Sequence, residues 1–193
     1  MIYLASTSPR RKTLLKKHGI KFRLLVPAYK EGKLPKLTPT QIVKVHAVEK
    51  GKSCAKKIKD GIILSADTVV FINGKVIGKP KDMKDARRIL SKLQGKWHTV
   101  YTGVAIFKMV SNRIIKKAVF VEKTKVRLKT LTPKGIEGYF RQVDPLDKAG
   151  AYAIQSPHGG IVADVKGYFS NAVGLPIETV LEKLRVFFVF KKW

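Results

Sequence analysis

An ionisable side chain stands in the middle of a strand. Ile62-Ile63-Leu64 runs into Ser65-Ala66-Asp67-Thr68-Val69-Val70-Phe71, and Asn73-Gly74 follows. Apolar and β-branched residues on both sides of Asp67 predict a buried strand over 62–72. Asn-Gly predicts a tight hairpin into Val76-Ile77. A carboxylate at that depth loses hydration and needs a cation, a metal or a hydrogen-bond donor as partner. Any fold this chain adopts must therefore carry such a partner to the strand.

The rest of the chain alternates helix and strand signals. Residues 1–5 read as a short strand. Pro9 suits the first turn of a helix through about Lys17, with Ser8 as its cap and Gly19 as its stop. Phe22–Val26 reads as a strand. Thr38-Pro39 opens a helix to about Lys57, and Asp82 caps one bearing Ala86, Ile89, Leu90 and Leu93 at helical spacing. Trp97–Val110 and Arg113–Leu128, joined by Ser111-Asn112, predict a long paired ribbon. Thr132-Pro133 starts a helix to about Gln142, Gly159–Val165 a strand, and Leu175-Pro176 a last helix, with a loop expected over Gly167–Gly174. The basic, aromatic tail Val186–Trp193 is expected to pack on its own domain. The alternation argues for an α/β fold. A length of 193 residues suits a single domain or two intimate lobes.

Charge and cysteine content narrow the partners. Forty Lys and Arg against 13 Asp and Glu leave a formal net charge of +27. Such a field favours polyanions, although a solvated basic surface accounts for it equally well, because the lysines are spread along the chain. No apolar run reaches the roughly 18 residues of a membrane-spanning helix, so no span is expected. Met1-Ile2-Tyr3-Leu4-Ala5 lacks the pattern of a signal peptide. The single cysteine, Cys54, suits a reducing cytoplasm.

Several segments carry chemistry. Ser6-Thr7-Ser8-Pro9-Arg10-Arg11 joins a strand to a helix N-terminus, where free N–H groups, hydroxyls and forked guanidinium donors can cradle phosphate. Lys79, in Gly78-Lys79-Pro80, is a turn lysine or a phosphate ligand. Gln155 can read a base edge or satisfy a loop. Glu49-Lys50 by itself reads as a surface ion pair, Glu31 as a loop acid, and Ser170-Asn171 as loop residues without a catalytic pattern. His18, His46, His98 and His158 lack metal-ligand spacing, and neither a Walker motif nor Gly-x-Ser-x-Gly occurs.

Together these segments resemble the Maf family of nucleoside triphosphate pyrophosphatases. The resemblance runs from Leu4 to Pro176. It rests on Leu4-Ala5-Ser6-Thr7-Ser8-Pro9-Arg10-Arg11, Glu49-Lys50, Ala66-Asp67-Thr68-Val69-Val70, Gly78-Lys79-Pro80, Leu93-x-Gly95-x-x-His98, Thr102-Gly103-Val104, Pro145 to Gln155, and Val173-Gly174-Leu175-Pro176. It implies a fold like that of inosine-triphosphate pyrophosphatases: an elongated mixed sheet flanked by helices, with a deep central cleft, formed by a single domain over residues 1–193. It implies hydrolysis of a nucleoside triphosphate to monophosphate and pyrophosphate with Mg²⁺ or Mn²⁺. It makes Asp67 the proton acceptor and sets Arg11, Lys50 and Lys79 in the catalytic pocket. Glu31 and Asp67 would approach the metal, and Ser6 and Ser8 the phosphates.

Within that family, members acting on dTTP and UTP carry Arg, Thr and Gln where this chain has Arg10, Thr68 and Gln155. Members acting on 7-methyl-GTP carry an aromatic residue, Gln and Glu. The resemblance thus implies the dTTP/UTP type and, as in many members, a homodimer. This chain departs from the family pattern at Lys30, where an acid is common, at Gly51, where Ala is usual, and at Ser156, where Gly is usual. The rival expectation, motivated by the +27 charge, is a nucleic-acid-binding or division-regulating protein that keeps only an enzyme-like cleft. The enzyme reading does not require nucleic acid as a partner.

Overall fold

A computed structural model describes residues 1–32, 34–155 and 160–188. A seven-stranded sheet runs through the molecule. Strand β1 (Ile2–Ala5) lies parallel between β2 (Phe22–Leu25) and β3 (Gly61–Ile72). Beyond β3 the sheet continues antiparallel through β5 (Trp97–Val110), β6 (Arg113–Leu128) and β7 (Val162–Lys166). The short β4 (Lys75–Ile77) folds back on β3 through a hairpin whose Asn73 and Gly74 both take positive φ, 48° and 73°, the geometry that Asn-Gly favours.

Among the described residues, six helices cover the sheet: α1 (Pro9–Lys17), α2 (Pro39–Ala55), α3 (Met83–Leu93), α4 (Pro133–Phe140), α5 (Phe169–Val173) and α6 (Ile177–Phe188). A 3₁₀ turn spans Ala149–Ala151. Helix α2 starts with a full capping box, in which Thr38 Oγ1 accepts from Gln41 N and Gln41 Oε1 accepts from Thr38 N. It lies on one sheet face, where Ala47, Cys54 and Ile58 bury against Ala5, Ile63, Ala105, Phe107 and Met109. The opposite face is covered in two parts. Leu175, Ile177, Val180 and Leu184 pack on Leu4, Leu64 and Ile106 near β1. Ala86, Ile89, Leu90 and Leu93 of α3 pack with Val70, Val100, Val126 and Leu128 at the other end. Among the described residues, no helix is long and apolar enough to cross a membrane.

Four expectations change. Ser8 occupies the N-cap of α1, but its hydroxyl makes no capping bond; its N–H donates instead to Ser6 Oγ at 3.2 Å. The expected loop over Gly167–Gly174 contains α5, held by tertiary contacts rather than by apolar periodicity. Asn171, fully buried there, donates to Thr124 Oγ1 and Val100 O. Lys50 is no surface residue, being only 8% exposed, and Glu49 pairs with Lys52 instead. The last strand covers Val162–Lys166, so it starts later than expected. Phe187 is buried in the core beside β1; Gly159 and residues 189–193 of the aromatic tail lie outside the described residues.

Candidate active site

Strand β1 ends at Ala5, paired with Ser65, while β4 joins β3 only from Val70 onward. On that edge, residues 66–69 of β3 have no strand neighbour. The carboxyl end of a parallel strand beside an unpaired edge is a usual place for a cleft in α/β sheets. Here a cleft of about 1640 Å³ opens, lined by Ser6, Arg10, Arg11, Asp67, Thr68 and Lys79 among others. The sequence places Asp67, a buried acid of β3, in that gap.

Alternation along β3 sends Asp67 and Thr68 to opposite faces. Asp67, 5% exposed, faces α2 and receives Lys50 Nζ on Oδ1 at 2.6 Å. The same ammonium lies 2.7 Å from Glu31 Oε1. Lys50 is thus held between two carboxylates, one buried and one from the exposed segment after β2. Burial alone would raise the Glu31 carboxyl; the hydrogen bond and charge of Lys50, with Lys79 and His46, outweigh it and hold the group below its usual range.

Thr68 faces α1. Its Oγ1 accepts from Arg11 Nη2 at 3.0 Å and lies 3.0 Å from Thr102 Oγ1, which donates to Asn171 O. Arg11 also donates from Nε to Gly174 O at 2.7 Å and from Nη1 to Ser6 Oγ at 3.1 Å. Burial lowers the Arg11 guanidinium from its usual value, opposed by Asp67 and Glu31 and reinforced by Arg10. Of its five N–H donors, three serve the protein and two remain. Gly174, with φ 118°, brings its carbonyl to this guanidinium, and a Cβ there would crowd Thr68 Oγ1 at 3.4 Å.

Arg10 is tied to Asp147 by Nη1 on Oδ2 at 2.8 Å and by Nη2 on the backbone oxygen at 3.1 Å. Lys148 pairs with the other oxygen of Asp147 at 2.5 Å. Lys79 and Gln155 are exposed and line the cleft, and Ser8 lines its wall. All ten residues singled out from the sequence (Ser6, Ser8, Arg10, Arg11, Glu31, Lys50, Asp67, Thr68, Lys79 and Gln155) thus border one cleft.

The sequence did not single out several other lining residues. Tyr29 Oη lies 2.9 Å from His46 Nδ1 beside the Lys50 cluster; burial and the carboxylates of Glu49, Glu31 and Asp67 raise the Tyr29 phenol. Asp147, in the Pro145 to Gln155 segment, anchors Arg10. Glu178 accepts from Ser170 Oγ, which also caps Ile177 N at 3.2 Å. Tyr29 lies two residues before Glu31 in the sequence, but no periodicity marks it; only the fold brings it to the acid.

The donor set can be tested against a divalent metal. Glu31 and Asp67 converge on one ammonium, so their oxygens already share a focus for positive charge. Among the described residues no group of three or more His, Cys, Asp and Glu side chains could hold a metal. Two carboxylates completed by substrate phosphates and water are the usual set for Mg²⁺. The described residues do not form a closed metal cage; an ion held by Glu31 and Asp67 would need its remaining ligands from outside the protein.

Residues 1–187 match the family described as Maf-like protein. A dTTP/UTP pyrophosphatase of Carboxydothermus hydrogenoformans is 42% identical over 184 residues, spanning 95% of this chain and 97% of its own length. One from Thermosipho melanesiensis is 44% identical over 183 residues, spanning 95% and 96%. Among solved structures, the Ham1 protein of Staphylococcus aureus shares the fold with a TM-score of 0.53 at 15% identity, over 96% of this chain and 98% of that one. With the family pattern matched over residues 1–187 and relatives above 40% identical along nearly the whole length, the chain belongs to the Maf family.

Proposed function

We propose that this protein is a nucleoside triphosphate pyrophosphatase acting on dTTP and UTP. The observation that carries the reading is the Lys50 ammonium clamped between Asp67 and Glu31 on the unpaired edge of β3, inside a cleft bordered by Arg10, Arg11 and Lys79. Relatives over 40% identical along nearly full length are named for this activity.

The chemistry divides among these residues. Lys50 occupies Oδ1 of Asp67, while Oδ2 has no hydrogen-bond partner among the described residues. That oxygen takes the proton of a water attacking the α-phosphorus; the bond from that phosphorus to the bridging oxygen breaks, and pyrophosphate leaves. Lys79, the free N–H groups of Arg11 and the N-terminus of α1 neutralise charge on the phosphates. Glu31 and Asp67 would hold Mg²⁺ or Mn²⁺, which when bound stabilises charge on phosphoryl oxygens. Thr68 and Ser6 keep the Arg11 guanidinium in place. Gln155 offers an amide able both to donate to and accept from a pyrimidine edge. Arg10, fixed by Asp147, lines the same cleft.

A panel of triphosphates tests the specificity part. The wild type should release pyrophosphate from dTTP and UTP in preference to 7-methyl-GTP, and Gln155→Glu should shift that ratio toward 7-methyl-GTP. An unchanged ratio contradicts the role given to Gln155. The same reading includes a homodimer, to be checked by light scattering at working concentration, and a cytoplasmic site of action, which suits Cys54, a thiol buried in the core.

A further inference from the structure

The sheet face that carries α2 is covered only in part. Val43 of α2 sits against Gly103, and Gly51 against Phe107. Toward the other end of β5 the face emerges into solvent. Cross-strand register sets Tyr101 opposite Lys123, Thr99 opposite Lys125 and Trp97 opposite Arg127. On the next strand Lys166 lies opposite Lys125, and Asp164 opposite Arg127. All of these side chains share one face.

Three features of this face stand out. Aromatic rings and cations interleave: Lys123 Nζ lies 5.4 Å from the Tyr101 ring, and Lys166 Nζ and Arg127 Cζ lie 5.1 and 5.7 Å from Trp97. The rings are accessible, Trp97 being 39% exposed, and Phe71 extends the row edge-on to Tyr101 as far as the cleft rim. Lys125 and Lys166 face each other directly, an unfavourable like-charge pair, and neither has a carboxylate partner within salt-bridge distance among the described residues. Asp164 neutralises only Arg127.

We infer that this face binds a single-stranded polynucleotide. Cations at strand spacing meet successive phosphates, and Trp97 and Tyr101, four residues apart along β5 and thus about 13 Å from one another, offer rings to two splayed bases. An open sheet with exposed aromatics is a general platform for unpaired bases, while a duplex hides its base faces. The like-charge pair Lys125–Lys166 is relieved by a bound phosphate. None of these residues except Phe71 lines the cleft, so this surface is distinct from the triphosphate site.

The test is fluorescence anisotropy of a labelled oligothymidylate of about 15 nucleotides across a salt series, with excess dTTP present to fill the cleft. Binding should persist under dTTP, exceed that of a duplex of equal length, and weaken with salt at a logarithmic slope of about −2 to −3, from about −0.7 per phosphate neutralised. Lys123→Gln with Lys125→Gln should make the slope shallower by about 1.4. Trp97→Ala should cost roughly tenfold in affinity at unchanged slope, and Trp97→Phe should recover most of it. Pyrophosphate release should be unchanged in all three. Absence of binding at about 50 mM salt, displacement by dTTP, equal binding of duplex, or indifference to the lysine pair would each overturn the inference. Capture of phosphatidylserine vesicles in place of the oligonucleotide would overturn it too, reassigning the face to anionic lipid.

Discussion

Lys50 holds two carboxylates with one ammonium, and only Asp67 of the two is buried. Truncating the lysine leaves that acid without its cation. Lys50→Met should lower stability by about 3 kcal/mol, the lower end for breaking a buried pair, since the cleft admits water. Adding Asp67→Asn removes the orphaned charge, so the double variant should be more stable than Lys50→Met alone; urea midpoints check the order. His98 gives a second residue-level case. It is buried, and its Nε2 lies 2.7 Å from Tyr152 Oη. Burial, only partly offset by a backbone hydrogen bond involving Lys96, pulls its pKa from 6.5 to about 4. Well above pH 6.5 neither the folded nor the unfolded chain protonates it. As pH falls from there toward 4 the unfolded chain takes the proton first, and stability drops by roughly 3 kcal/mol in total. Between about pH 7 and pH 4.5 the wild-type melting temperature should therefore fall further than that of His98→Gln. Parallel falls contradict this.

At the scale of elements, α2 is seated by two glycines. A Cβ at Gly103 would stand 2.4 Å from Val43 O, and one at Gly51 would stand 2.3 Å from the Phe107 ring. The departure from Ala at Gly51 thus matches a bulky Phe107 beneath it. Gly103→Ala presses on backbone and should cost about 1–3 kcal/mol, read as a lower melting temperature; an unchanged midpoint contradicts the close approach of α2 to β5. The elements legible in the sequence are those with local signals: the Asn73-Gly74 hairpin, the Thr38-Pro39 helix start, and the ribbon broken at Ser111-Asn112. Helix α5 was not legible, because five residues between Gly167 and Gly174 show no period and are fixed by Asn171 from within the core. Lys50 was misread on its own residues for a related reason: its neighbour Glu49 was visible, whereas Asp67, its partner, is 17 positions away. The family pattern placed it in the pocket where local chemistry could not.

For the molecule as a whole, a formal charge of +27 must strain the compact state by self-repulsion. Raising ionic strength from about 0.01 to 0.3 M shortens the screening length from about 30 Å to well under 10 Å, so the melting temperature should rise with salt; a flat or falling trend contradicts the repulsion. The same field draws triphosphates toward a cleft walled by Arg10, Arg11 and Lys79. Asp67, on the unpaired edge of β3, is the proposed base for attack on the α-phosphorus. The most direct measurement is turnover of dTTP and UTP with Mg²⁺ by wild type and Asp67→Asn, with pyrophosphate resolved from orthophosphate and folding checked by melting. Pyrophosphate is the expected product, with a loss on the order of 10²–10⁴-fold in kcat for the folded variant. Near-normal turnover by Asp67→Asn, or orthophosphate as the first product, would contradict it.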